Sequence, residues 1–318
     1  MDFKLRTRRY DDLTNWEIEQ YLKENDIIIV PVGNCETHAA LPVDCEFVAV
    51  QGYARLIAEK VDGLFLPNMV YFNPGGTQIG RGTIHVSMKE SYEYCKAIAH
   101  SLLNQGFKRQ VWIPSHVPTT DFLLAMVTDF FDETKVPVLY LDVYAYLANL
   151  GVMPRPFFDP SGKHQKPRTK AGDEVDPFND VIFGAYKLAG RLNAIPAKGE
   201  VPFPDSEEPA GLFPNWFPEY SLLGKCSGFM AAPAPYYYTH PDEHIGPPIA
   251  KYTREEIEMR ANIGIAYMNE LLDAARLDEL MAALRHLQEY MAETVARHYD
   301  HLPKNLYSAA NPFEHLKK

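Results

Sequence analysis

Glu36, His38, Asp44 and Glu46 fall within eleven residues of one another, in the stretch DIIIVPVGNCETHAALPVDCE that runs from Asp26 to Glu46. Three carboxylates and an imidazole so spaced offer the mixed oxygen and nitrogen donors that zinc or manganese accepts. A bound divalent cation could lower the pKa of a water or polarise a carbonyl. A solvated acidic loop has the same composition, so the fold around these residues must decide between the two. His116 is a further candidate ligand, following the apolar run Gln110 to Pro114. Later in the chain, THPDEH supplies His240, Glu243 and His244. Imidazoles titrate near neutrality, so His240 or His244 could pass a proton to a leaving group. Pro241 argues against a helix there, which suggests a loop over the site or a subunit contact. Lys170 could hold an oxyanion or a substrate carboxylate.

These side chains need strand ends to present them. Ile27 to Val30 is a β-branched run typical of a buried parallel strand. Further strands are expected at Leu64 to Tyr71, Gln110 to Pro114 and Pro137 to Val143. Helical periodicity is expected over residues 10–25, 47–61, 90–105 (stopped by Gly106) and 121–133. Strand and helix alternate, which implies a parallel β-sheet core flanked by helices on both faces, an α/β fold. In such a sheet ligands bind at the carboxyl ends of strands, where Glu36, His38 and His116 would lie. Residues 151–250 form long Pro- and aromatic-rich loops around one helix near Asp180 to Asn193, read as an active-site cover and oligomer contact. Amphipathic C-terminal helices follow, at Arg254 to Leu277 and Leu277 to Tyr299. The expectation is a single domain over 1–318, with its core at about 20–150.

Composition excludes several classes. The formal charge of −11 argues against a nucleic-acid partner, because phosphate binding needs a basic face. No stretch has the eighteen or so apolar residues of a membrane span. The four cysteines lack zinc-type spacing, and no apolar leader follows the basic N-terminus, so a soluble, cytoplasmic protein is expected. The glycine-rich loop NPGGTQIGRGT fits no phosphate-binding fingerprint.

Taken together, the motifs resemble the creatininase (creatinine amidohydrolase) family. Its first motif, P-x-G-S-x-E-x-H-G-P-H-L-P-x-G-T-D, is matched by PVGNCETHAALPVDCE, with Glu36 and His38 at the first two ligand positions. Aligning on Leu41-Pro42 puts Glu46 at the metal-bridging aspartate and Asp44 at a glycine, so Glu46 is taken as the bridge, with Asp44 as its rival. Arg81-Gly82-Thr83-Ile84 stands for F-P-G-T-I. IPSHVPTT stands for N-G-H-G-G-N, with His116 at the ligand histidine. H-A-G-x-x-E-T-S is faint as KAGDEVDP: Lys170 replaces the histidine, and the glutamate falls at Val175 unless the register slips to Glu174 or Asp176. Glu174 is taken as the remaining ligand.

The resemblance implies a homo-oligomer, usually a hexamer, of a hydrolase with two Zn or Mn ions per chain. The ions activate a shared water for attack on a carbonyl. The expected substrate is a small polar ring, either a cyclic amide or a polyhydroxylated cyclic ketone such as an oxidised inositol. Asn73, Thr77, Thr119, Thr120 and Asp121 could bind its hydroxyls. The altered surroundings of His116 and the change at Lys170 set the chain apart from a creatinine-specific enzyme. A phosphorylated substrate would need Arg81, Arg168 or Lys170. The alternatives are a metal-dependent sugar isomerase or epimerase, and a family member that has lost its metal.

Overall fold

The computed structural model describes residues 4–38, 40–75, 82–153, 166–201 and 252–295. Ile27–Val32 forms β1, buried along its whole length, as a strand covered on both faces requires. Leu64–Phe65 (β2), Arg109–Pro114 (β3) and Leu139–Tyr140 (β4) complete the sheet. All pairs are parallel and the order is β2-β1-β3-β4. The parallel α/β sheet expected from the sequence is therefore present. β1 and β3 pair from Ile27 with Arg109 to Val32 with Pro114, so their carboxyl ends finish side by side. The chain must pass from β2 back across β1 to reach β3, and that reversal opens a crevice at the ends of β1 and β3.

Two strands are shorter than their sequence suggests. β2 stops at Phe65 because Pro67 has no N–H to give a ladder, and Asn68 turns into the left-handed region at φ 67. β4 covers only Leu139–Tyr140, because Asp142 already caps the next helix by accepting from the Ala145 N–H at 2.9 Å.

The helices are Asn15–Glu24 (α1), Cys45–Lys60 (α2), Met88–Gln105 (α3), Val117–Thr134 (α4), Val143–Asn149 (α5), Asn179–Leu188 (α6), Arg254–Asp273 (α7) and Leu277–Tyr290 (α8). Reciprocal capping boxes start α1 (Thr14 and Glu17), α3 (Ser87 and Glu90) and α7 (Thr253 and Glu256). Gly106, at φ 110, ends α3 as its position predicts. The first site helix differs from expectation: α2 begins at Cys45, so Glu46 sits on a helical turn and not in the loop. α4 likewise begins at Val117, which makes His116 its N-cap residue.

α3 packs on α4, while α2 packs on α6 and α6 on α7. Small residues permit these close approaches. A Cβ at Gly33, just after β1, would lie 2.7 Å from Phe47 Cβ on α2, and one at Gly52 would lie 2.7 Å from Ala185 Cβ on α6. α2 is thus fixed against both the end of β1 and α6. Within 151–250, the described residues hold α6; the tyrosine run 236–238 and Trp216 lie outside them. Among the described residues, no helix is long and apolar enough to cross a membrane.

Candidate metal centre

The loop after β1 is held from three sides. Gly33 N–H donates to Met69 O, Glu36 N–H to Val43 O, and Leu41 N–H to His38 O, at 2.8–2.9 Å. The segment after Gly82 docks alongside: Thr83 Oγ1 accepts from Thr37 N–H at 3.0 Å, and Ile84 N–H donates to Cys35 O at 2.9 Å. These bonds turn Glu36 and His38 inward, where both are buried. α2 brings Glu46 to them from its first turn, and the end of β3 brings His116.

The four side chains close a ring of alternating acids and imidazoles. His38 Nε2 is 3.3 Å from Glu46 Oε1, and His38 Nδ1 is 4.0 Å from Glu36 Oε1. His116 Nε2 is 3.9 Å from Glu36 Oε1, and its Nδ1 is 4.0 Å from Glu46 Oε2. Ligand atoms of Glu36, His38 and Glu46 all lie within 4.8 Å of one another, a grouping that could hold a metal ion. His38 Nδ1, Glu46 Oε2 and His116 Nε2 are buried without a hydrogen-bond partner. Buried polar atoms are rarely left so, and three of them converging on two carboxylates fit a divalent cation. His116 is prepared for the role: its Nδ1 meets the buried Thr119 Oγ1 at 2.7 Å. With Nδ1–H donating there, the Nε2 lone pair is presented to the cluster.

Burial pulls the His38 pKa down, but Cys45 and Glu46 beside it override burial and hold it well above the usual histidine value. Burial alone would raise Glu46; His116 and His38 outweigh it and hold its carboxyl below the usual carboxylate range. Burial lowers the pKa of His116, favouring the neutral imidazole that binds metals. A cation must therefore compete with a proton for His38. Zinc affinity should rise with pH until His38 gives up its proton unaided, and be lost on acidification, with protons released on binding. Titration calorimetry in buffers of differing ionisation enthalpy measures that release. Zinc binding with no proton release and no pH dependence would contradict this electrostatic picture.

Asp44, the rival of Glu46, is engaged elsewhere. It accepts hydrogen bonds from the Tyr186 hydroxyl and, at 2.6 Å, from Arg191 Nη1. Glu174 is exposed and paired with Lys166 at 2.7 Å, and it bridges Arg168 across a short antiparallel turn. Lys170 is exposed on that turn, its N–H donating to Glu270 at 2.9 Å. The structure brings neither Glu174 nor Lys170 to the cluster. Val175, the strict-register position, is fully buried in the apolar core. Asp176 is spent capping α6, accepting from Phe178 N–H, Asn179 N–H and Asn179 Nδ2. His240, His244, Arg81 and Thr77 lie outside the described residues. Asn73 serves a turn, bonding Gly75 N–H and Val86 O.

A cavity of about 480 Å³ opens from Glu46 and His116. Its walls include Tyr53, Ser115, Thr120, Asp142, Tyr144 and Phe178. Tyr53 and Tyr144 meet edge to face with centroids 5.6 Å apart. Sequence reasoning named Thr120 but missed both tyrosines and Asp142. A signal for one existed: Glu46, Ala49, Val50 and Tyr53 follow the spacing of a single helix face.

A family model for creatininase (creatinine amidohydrolase) matches residues 11–174. The fold is similar to a crystal structure of creatinine amidohydrolase (creatininase), with a TM-score of 0.53 at 15% identity over 84% of this chain and 97% of that one. It is also similar to a mutant creatininase of Zn-Zn type (TM-score 0.51, 15% identity, 85% and 98% covered) and to a creatininase with Mn (TM-score 0.51, 15% identity, 84% and 98% covered). At this identity the structural likeness concerns the fold. Comparison with curated protein sequences finds no significant match. The family model spans more than half of the 318 residues, and the sheet, crevice and acid–imidazole cluster agree with it: the chain is a divergent member of the creatininase family.

Proposed function

We propose that the protein is a metal-dependent hydrolase that opens a small cyclic amide, with Glu36, His38, Glu46 and His116 holding one or two divalent ions. The observation that carries this reading is the convergence of these four side chains, with three unpartnered buried atoms, where Glu46 and His116 open onto the cavity. Zinc or manganese is the proposed metal, from the donor set and from the Zn-Zn and Mn forms of structurally similar creatininases. When bound, the metal would lower the pKa of a water and polarise the carbonyl under attack.

The chain's own residues would do the rest. Ala49, Val50, Ile113, Val143, Phe178, Val181 and Ile182 give the cavity largely apolar walls, which desolvate a compact ring and hold it against the cluster. Tyr53 and Tyr144 offer hydroxyls to the ring's polar atoms, and Ser115 and Thr120 do so beside His116. This lining suits a cyclic amide better than a polyhydroxylated ketone, whose hydroxyls would face aliphatic side chains. Arg168, a phosphate contact if the substrate were phosphorylated, instead donates to Gly172 O at 2.6 Å on the exposed turn. His240 and His244 are retained as candidate proton donors to the leaving nitrogen, on their chemistry alone.

The test is incubation of zinc- or manganese-loaded protein with a panel of lactams, hydantoins and creatinine, followed by mass spectrometry. A product heavier by one water is expected. A product of unchanged mass would move the assignment to an isomerase, and no product from any ring would contradict it.

A further inference from the structure

Asp44 is the N-cap residue of α2, two residues before Glu46, yet its side chain accepts no hydrogen bond from that helix. Its backbone (φ −101, ψ 15) also departs from the extended form usual at an N-cap. α1, α3 and α7 all use side-chain caps. The Asp44 carboxylate instead reaches the far end of α6, where Tyr186 donates to Oδ1 and Arg191 Nη1 to Oδ2. Tyr186 is fully buried, and the Arg191 guanidinium lies 5.3 Å from the centroid of its ring. Burial, and then the Asp44 charge, push the Tyr186 pKa up, so its hydroxyl stays a donor. α6 cannot follow if Asp44 moves, because Ala185 is seated against Gly52 of α2.

We propose that Tyr186 and Arg191 are positioning residues for the metal centre. They clamp Asp44, and so fix the angle at which the first turn of α2 delivers Glu46 to Glu36, His38 and His116. The proposal rests on the metal-centre reading given above. It also gives Asp44 a role distinct from that of a ligand. A carboxylate bonded by a buried phenol and a guanidinium holds one geometry, whereas a first turn with neither a side-chain cap nor this clamp would fray.

The experiment compares zinc affinity, by competition with a chromophoric chelator, in wild type, Tyr186→Phe, Arg191→Gln and the double variant. Thermal unfolding of each zinc-free protein is recorded alongside. Tyr21→Phe is the control: it removes another buried hydroxyl, one that donates to Ile27 O at 2.7 Å far from the cluster. Each clamp variant should bind zinc about tenfold more weakly, the scale of lost outer-shell support. The double variant should add little, since both act through Asp44. Tyr21→Phe should lower stability and leave zinc affinity unchanged. Wild-type affinity in the clamp variants, or an equal loss in Tyr21→Phe, would overturn the clamp alone. A wild type that binds no zinc would overturn the metal-centre reading and the clamp with it.

Discussion

Glu46→Gln is expected to weaken zinc binding by about a hundredfold or more and to abolish hydrolysis. Four-ligand zinc sites bind with roughly 10–16 kcal/mol in total, so one ligand in four is worth about 3 kcal/mol. Glu46 is well placed to supply that share. Oε1 lies 3.3 Å from His38 Nε2, and Oε2, 4.0 Å from His116 Nδ1, is buried. The amide keeps the shape of the side chain and removes its charge, so the loss reports ligation and not packing. Asp44→Asn should cost less, because it alters the support of Glu46 and removes no ligand. Titration with zinc separates them. Full affinity in Glu46→Gln with a large loss in Asp44→Asn would transfer the ligand role to Asp44.

Gly264→Ala should destabilise the fold by on the order of 3 kcal/mol or more, the upper range for overpacking. The added methyl would stand 1.7 Å from the Asp180 carbonyl oxygen and 2.4 Å from its carbon. Both are α6 backbone, so no side chain can swing away, and the two helices must part. Parting them disrupts the packing of the buried Val181, Phe183, Ile257, Ala261 and Met268 and strains the 3.0 Å bond from Arg260 to Asp180. The urea midpoint reads the effect, and a midpoint equal to wild type would contradict it. Since α6 carries Tyr186 and walls the cavity with Val181 and Ile182, any folded fraction should also bind zinc less well.

The parts of the site nearest a strand were the most legible in the sequence. A β-branched run ending in Pro31 and Gly33 announces β1, and the logic of strand ends carries Glu36, His38 and His116 to one crevice. The choice between Glu46 and Asp44 was not legible, because it depends on where α2 starts and on Tyr186 and Arg191, far along the chain. Periodicity placed the start of that helix at Phe47; the observed start at Cys45 turns Glu46 inward. Lys170 and Glu174 rested on the register of a faint motif, and their turn lies at the surface. Tyr144 and Asp142 could not be read as cavity residues, because a fourth strand expected through Val143 hid the helix cap that orients them.

The most direct test of the metal centre is anomalous diffraction at the zinc edge from crystals grown with zinc. One peak, or two close together, bounded by Glu36, His38, Glu46 and His116, is expected. Crystals with no anomalous peak there, or with zinc bound only at other sites, would contradict it.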